Sequence, residues 1–168
     1  MRQTTHVLKA SARLFSVVAP GAAGNHSPLP HALVFELSSY ITSNKASLPP
    51  YFELKLTQLL FEGSIDKTGY YIVHHLIARD HLASLERRGK ELKPSSAKMP
   101  LAAIVMLFNH LNDNPTYFSN EWTLKLYNFL FECTSAEYLP TYHALITIAL
   151  KKLTAVNEPA PEARKQLC

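Results

Sequence analysis

The histidines are the first residues to consider for chemistry, because the chain contains eight of them. His74, His75 and His81 fall on one predicted helix. A metal site on a helix needs ligands three or four residues apart, one turn along the same face. No pair among the three has that spacing, and His74 and His81 lie two turns, about 10 Å, apart. We therefore predict no metal site and expect these histidines at the surface or at an interface.

Motifs for catalysis or cofactor binding are not found in the sequence. The serines Ser38, Ser39, Ser64 and Ser84 lie outside any Gly-x-Ser-x-Gly turn. Cys133 falls on an apolar helix face, which favours a buried, unreactive thiol. There is no glycine-rich phosphate loop, and the acidic residues are scattered singly without a pair suited to acid–base work. The sequence therefore predicts a non-enzymatic protein without a cofactor.

A cluster of five basic residues within twelve positions is the one concentration of charge. It is a candidate contact for phosphates or for an acidic partner, and the alternative is a solvated loop. The net charge of +4 does not strengthen the first reading, because residues 1–30 contribute three of those charges. The remaining chain has 14 basic against 13 acidic residues, so it is nearly neutral. The cluster consists of Arg87, Arg88, Lys90, Lys93 and Lys98.

Residues 1–29 have the composition of a targeting sequence. Their basic residues, Arg2, Lys9 and Arg13, lie within about 40° of one another on a helical wheel, and no acidic residue occurs before Glu36. This amphipathic, acid-free pattern predicts a mitochondrial presequence and linker, with processing before Ser16. The alternative is a basic helix that docks on the core or on a membrane surface. The expected location is the matrix or the matrix side of the inner membrane.

From Pro30 onward, apolar residues repeat at helical spacing and prolines stand near the predicted helix starts. This pattern predicts an all-α domain of about six helices over residues 30–156, followed by a flexible tail at 157–168. Asp66 is expected to cap a helix from about Thr68 to Arg88. Short links predict antiparallel neighbours. Apolar stretches such as 99–108 are too short to span a membrane, so no integral span is expected, although peripheral contact is compatible with the pattern.

The segment from Leu139 to Ile146 (LPTYHALI), followed by Lys151 and Lys152, resembles the opening helix of a pentatricopeptide repeat. The stretch from Trp122 to Glu137 is similar to the second helix of a preceding repeat. This resemblance covers these two stretches alone. It implies an irregular array of antiparallel helical hairpins, a superhelix like those of tetratricopeptide and pentatricopeptide proteins. The alternative is a closed helical bundle.

Upstream of that hairpin the match to the repeat family decays. The predicted helix starts near Pro50, Pro100 and Pro140 are unevenly spaced, whereas the family has a near-constant spacing. The general plan of a small imported helical chain also resembles the kinetoplastid mitochondrial proteins of the MIX type. That resemblance implies a membrane attachment which the sequence itself does not explain.

Within the repeat-like hairpin, we expect two apolar faces to meet and His143 to lie on the outer face. Such a contact between apolar faces is what holds an antiparallel helix pair together. The facing sets are Trp122, Leu126, Phe129 and Leu130 on one helix and Tyr142, Leu145, Ile146 and Ala149 on the other.

These patterns predict a protein-interaction or scaffold role, as an accessory or assembly subunit of a mitochondrial complex, respiratory or ribosomal. The partners would be other mitochondrial proteins, bound through exposed aromatic residues, because such residues are common interface anchors. The alternative is a mitochondrial RNA-binding protein of degenerate pentatricopeptide type, in which the resemblance implies that His143 contacts a base. The candidate partner surface consists of Tyr70, Tyr71, Tyr117, Tyr138 and His143.

Overall fold

Six α-helices make up the described part of the chain. The computed structural model describes residues 27–66, 68–89 and 97–157, and no strand occurs in those ranges. This confirms the predicted all-α fold class. The predicted presequence region 1–26, Lys90, Lys93 and the tail from 158 lie outside the described residues. The helices are α1 (His31–Ser43), α2 (Pro50–Gly63), α3 (Ile72–Glu86), α4 (Leu101–Asp113), α5 (Asn120–Cys133) and α6 (Pro140–Asn157), with a 3₁₀ turn at Pro115–Tyr117.

Prolines and a serine set the helix starts. Pro50 and Pro140 are first residues of α2 and α6, and Pro30 directly precedes α1. The first N–H groups of a helix have no partner within it, so proline loses no hydrogen bond there. At α5 the same orphan groups are satisfied differently, because the Ser119 hydroxyl accepts a hydrogen bond from the Trp122 N–H at 3.2 Å.

The start of α3 differs from the expectation. The Asp66 carboxylate accepts hydrogen bonds from the N–H groups of Thr68, at 2.8 Å, and Tyr70, at 3.0 Å. These bonds, that from Thr68 above all, lower the pKa of Asp66. They organise a turn through Gly69, whose φ of 74° suits glycine. The helix therefore begins at Ile72, later than the predicted start at Thr68.

Ring and backbone contacts give the directions of the first three helices. The Leu29 N–H donates to the Gly63 carbonyl at 2.8 Å, so the start of α1 lies beside the end of α2. The Phe61 ring stacks on His75, while Glu53 meets His81, so α2 and α3 are antiparallel. Helices α1 and α3 therefore run in the same direction, with α2 opposed to both.

The α5–α6 hairpin forms with a different face than the sequence predicted. Trp122, Leu126 and Leu130 are buried as expected, and Ile146 is fully buried. Leu145, however, is 45% exposed, so its prediction as a core residue is wrong. Adjacent helical positions point about 100° apart, so only one of these two apolar neighbours can face α5.

His143 does not lie on the outer face of α6, which corrects the second expectation for this hairpin. Its ring stacks on Phe131 with centroids 4.7 Å apart. Its Nδ1 lies 3.0 Å from the Thr134 hydroxyl, and the side chain is half-buried. The imidazole therefore belongs to the contact between α5 and α6.

The helix boundaries recur at a constant offset along the chain. α4 begins at Leu101, and its separation in sequence from the start of α1, His31, equals the separation between the ends of these two helices. The start and the end of α5 follow those of α2 at this same separation. We call this separation the repeat offset; the starts of α3 and α6 differ by two less. The sequences agree: residues 54–64 are LKLTQLLFEGS and residues 124–134 are LKLYNFLFECT. The chain thus contains two copies of one three-helix plan, called here the first repeat (27–89) and the second repeat (97–157).

Burial follows the same offset. At position after position, a buried side chain in the first repeat has a buried counterpart one repeat offset later. Each repeat is therefore an internal control for the other: what both contain serves the fold, and what one lacks is not required by it. The buried pairs are Leu29 and Met99, Leu33 and Ala103, Val34 and Ile104, Leu37 and Leu107, Ile41 and Leu111, Leu48 and Phe118, Leu56 and Leu126, and Leu60 and Leu130.

By mutual contacts the described residues divide into two compact units, one that ends at Ala103 and one that begins at Ile104. The division falls inside α4, close to its start. The candidate site described next lies wholly within the first of these units.

Candidate functional site

One histidine arrangement occurs in both repeats. His75 Nδ1 lies 3.0 Å from the Phe61 carbonyl and 3.2 Å from the Ser64 hydroxyl, and its ring stacks on Phe61. His143 is its counterpart, with Phe131 as the stacking ring and the Thr134 hydroxyl in place of that of Ser64. Burial, chiefly, lowers the pKa of His75. Because both repeats contain this contact, we assign it to the fold, where it ties the end of one helix to the start of the next.

A second histidine contact is confined to the first repeat. Glu53 on α2 has a side chain that is only 1% exposed, and its Oε1 lies 2.7 Å from Nε2 of His81 on α3. The His81 side chain is 13% exposed. A buried carboxylate is costly to desolvate and is stable only with a close partner, so the two side chains depend on each other.

The second repeat forms the corresponding hairpin without this pair. Thr123 stands one repeat offset after Glu53, and Ala149 follows His81 at the same distance in sequence that relates His75 to His143. The α5–α6 contact therefore needs neither a carboxylate nor an imidazole at these positions. We therefore take the buried Glu53–His81 pair, which the second repeat lacks, as the candidate functional site.

His81 also lines a cavity among α1, α2 and α3, which opens to solvent beside the exposed Thr42, Ile77 and Asp80. Its volume is about 410 Å³, within the range of sites for small organic molecules. The walls combine an apolar interior with hydroxyl groups and with Lys45 and Asp80. The lining residues are Ser38, Ile41, Thr42 and Lys45 from α1, Thr57 and Leu60 from α2, and Ile77, Ala78, Asp80, His81 and Ser84 from α3.

Larger side chains occupy several of the corresponding positions in the second repeat. Phe108 takes the place of Ser38 and packs edge-on against Tyr142, with ring centroids 5.4 Å apart. The cavity therefore follows from small residues that the second repeat replaces by bulky ones. The further replacements are Tyr127 for Thr57 and Ile146 for Ala78.

Apart from Ile65, the large exposed apolar side chains of the first repeat lie on α3 or beside it. Val73 is 62% exposed and Ile77 is 49% exposed, one turn apart. Phe35 of α1 adjoins them through His74, with ring centroids 6.1 Å apart. We call this set the α3 surface; it comprises Phe35, Tyr70, Ile72, Val73, Leu76 and Ile77. In the second repeat α6 exposes Leu145 and Ile148.

The residues predicted to bind a partner differ in their exposure to solvent. Tyr70 and Tyr117 are 68% and 69% exposed, as an anchor requires. Tyr71 is buried and stacks on His31, so its prediction as an exposed anchor is wrong; of two successive tyrosines at a helix start, only one can face solvent. Tyr138 is half-buried in the turn before α6, where its N–H donates to the Ser135 hydroxyl at 2.9 Å. His143 is held between α5 and α6, as described above.

Of the basic cluster, Arg87, Arg88 and Lys98 are exposed, while Lys90 and Lys93 lie outside the described residues. Within the part of the chain that the structure describes, no group of three or more potential metal ligands comes together. None of the helices described there combines the length and apolar character that crossing a bilayer requires.

The Glu53–His81 pair was missed in the sequence because its members are 28 residues apart on different helices. The signal that could have found it is the internal repeat, since aligning the two copies exposes the positions at which a charged residue replaces a neutral one. In comparisons with known proteins, no family model, no curated protein and no solved structure matches the chain.

Proposed function

We propose that this protein is a non-enzymatic helical-repeat scaffold that binds a partner protein, as an accessory or assembly subunit of a mitochondrial complex, respiratory or ribosomal. The observation that supports this most is the α3 surface. Solvated apolar area is unfavourable by roughly 25 cal/mol per Å². Contiguous patches of this kind characterise interaction sites in soluble domains.

The composition of the α3 surface suits a protein partner. Tyr70 and Phe35 offer large aromatic side chains, which are enriched among the residues that dominate binding energy. The aliphatic residues around Val73 and Ile77 extend the surface over about one and a half helical turns. At its edge Arg79 and Asp80 form an exposed ion pair at 3.4 Å, the polar rim that interfaces commonly have.

The mitochondrial address in this proposal rests on the acid-free N-terminal sequence with Arg2, Lys9 and Arg13. RNA binding ranks second. The exposed Arg87, Arg88 and Lys98 favour a polyanion contact. His143, however, has its ring stacked on Phe131 and its Nδ1 bonded to Thr134, which leaves it poorly placed to recognise a base.

Affinity purification of the full-length chain from mitochondria tests the proposal. We compare wild type with Val73→Glu, which places a charge in the α3 surface, and with Asn128→Glu, which adds the same charge at an exposed site on α5. Wild type and Asn128→Glu are expected to recover the subunits of one defined complex, and Val73→Glu at least tenfold less. Reverse purification from a subunit of that complex should recover this chain.

The outcomes separate the candidates. Recovery of the same subunits by Val73→Glu would remove the α3 surface from the proposal. Loss of recovery after nuclease treatment would show that RNA mediates the association and would promote the second candidate. Recovery of the chain only from a non-mitochondrial fraction would contradict the address.

A further inference from the structure

We propose that the cavity of the first repeat binds a small organic anion with an apolar tail, of the class of medium-chain carboxylates. The proposal goes beyond the scaffold role and does not rest on it. It is carried by three observations: the shape of the cavity, the polar groups at one end, and the replacement of its lining in the second repeat.

The cavity extends along α1 and α3, which run side by side. His31 contacts Tyr70, and Phe35 contacts His74. The two pairs have the same separation in sequence, so residues of α1 and α3 with this separation lie opposite each other. The same separation pairs three further sets of lining residues: Ser38 with Ile77, Thr42 with His81, and Lys45 with Ser84. From the first set to the last is two helical turns, roughly 10 Å along the helices.

One end of this channel is apolar. Because Glu53 meets His81 and Phe61 meets His75, Leu60 of α2 lies toward the Ser38–Ile77 end. Leu60 is 2% exposed and Ala78 is 1% exposed. A hydrocarbon tail placed here would contact the buried Leu60 and Ala78 and would cover part of the exposed Ile77 side chain, so that binding removes apolar surface from water.

The other end carries polar groups that lack internal partners. The Lys45 ammonium forms no ion pair within the described residues, whereas Asp80 on the opposite side is engaged by Arg79 at 3.4 Å. His81 uses Nε2 for Glu53, and its Nδ1 has no partner among the described residues. With an anion bound, a protonated imidazole would donate from Nε2 to Glu53 and from Nδ1 to the head group, beside the Lys45 charge. Glu53 would thereby hold His81 in the orientation that binding needs.

The second repeat shows which of these residues the fold can do without. Pro115 replaces Lys45, Ala149 replaces His81, and Phe108 and Tyr127 fill the positions of Ser38 and Thr57. A three-helix repeat that needed only to be stable could use this apolar lining, because an apolar substitute for a buried ion pair is often neutral or stabilising. The pair and the small-residue lining, which only the first repeat has, are therefore the features that we assign to a ligand.

Isothermal titration calorimetry of the full chain tests this, with sodium octanoate as the anionic probe and octylammonium chloride as the cationic probe of equal chain length. We expect wild type to bind octanoate with at least tenfold preference over octylammonium. Lys45→Met and His81→Gln should each weaken octanoate binding at least fivefold. Lys151→Met, which removes an exposed charge on α6, is the matched control and should leave binding unchanged.

A filled variant, Ser38→Phe with Thr57→Tyr, copies the lining of the second repeat. It should lose octanoate binding while keeping the far-ultraviolet circular dichroism and the cooperative melting of a folded protein. Ser39→Phe adds the same ring on the exposed side of α1 and should bind normally. If the filled variant does not fold, Lys45→Met decides, because Lys45 is exposed and its loss leaves the core intact.

The proposal is overturned if octanoate does not bind the folded wild type, if octylammonium binds as tightly, or if the folded filled variant binds like wild type. A sedimentation arm with vesicles of phosphatidylcholine and phosphatidylglycerol separates a free acid from a membrane lipid. Octanoate binding without sedimentation supports the free carboxylate, whereas sedimentation without octanoate binding would replace the cavity by a lipid surface.

Discussion

The Glu53–His81 pair can be tested by a double-mutant cycle in which the double variant carries the residues found at the corresponding positions of the second repeat. Replacing His81 by Ala leaves a carboxylate that is 1% exposed without its partner, at a cost near the lower end of the roughly 3–5 kcal/mol for breaking a buried pair. Replacing Glu53 by Thr leaves an imidazole that water can still reach, and should cost about 1.5–2 kcal/mol, the lower range for a hydrogen bond to a charged group.

The double variant, Glu53→Thr with His81→Ala, reproduces Thr123 and Ala149 of the second repeat. It removes both members of the pair, so no buried charge remains, and we expect it to lie within about 2 kcal/mol of wild type. The two single costs then exceed the double cost by at least about 2.5 kcal/mol, toward the upper end of measured coupling energies.

Urea denaturation followed by far-ultraviolet circular dichroism measures all four proteins, with equal slopes required so that the free energies can be compared. The exposed Arg79–Asp80 pair is the control, since its cycle should give under about 0.5 kcal/mol. Additive effects of Glu53→Thr and His81→Ala would refute the inference that the carboxylate and the imidazole stabilise each other.

Three further predictions concern the fold. Ile146→Ala should cost about 2–5 kcal/mol in thermal or urea unfolding and Leu145→Ala under about 1 kcal/mol, because only Ile146 is buried; equal losses would show that the α6 register is wrong. Gly63→Ala should cost about 1–3 kcal/mol because a methyl group there collides with the Leu29 side chain, and a melting temperature like that of wild type would contradict this close approach. The pKa of His75 is lowered in the folded state, so its contribution to stability is complete above the unfolded pKa of about 6.5 and is lost as the pH falls through the folded value. The variant His75→Gln should therefore lose less stability than wild type when the pH is lowered from 7 to 5. Parallel curves of stability against pH would contradict the assignment.

The helices themselves could be predicted from local patterns. Apolar residues at helical spacing and prolines near the starts indicated six helices, and six are found in the described residues. These signals are local because a helix satisfies its hydrogen bonds within itself and needs only one apolar stripe to be placed. Even the delayed start of α3 follows from residues close in sequence, through the Asp66 bonds to Thr68 and Tyr70.

The internal repeat is visible in the sequence itself, but it consists of three helices, so the spacing of a two-helix repeat does not predict it. The match of LKLTQLLFEGS with LKLYNFLFECT carries it. Once known, it separates residues of the fold from residues of the site without any comparison to another protein. His75 and His143 fall in the first group, and His81 falls in the second.

The sequence by itself determined which segments form helices and where their charged residues stand. Helix formation depends mainly on neighbouring residues along the chain. Only the tertiary structure decided which of two adjacent apolar residues is buried, as between Leu145 and Ile146, because both satisfy the same periodicity and packing against α5 selects one. Only the tertiary structure joined Glu53 to His81 and placed His81 at the polar end of a cavity. Two side chains 28 residues apart meet through the antiparallel packing of α2 and α3, and the cost of burying a carboxylate then makes the meeting specific.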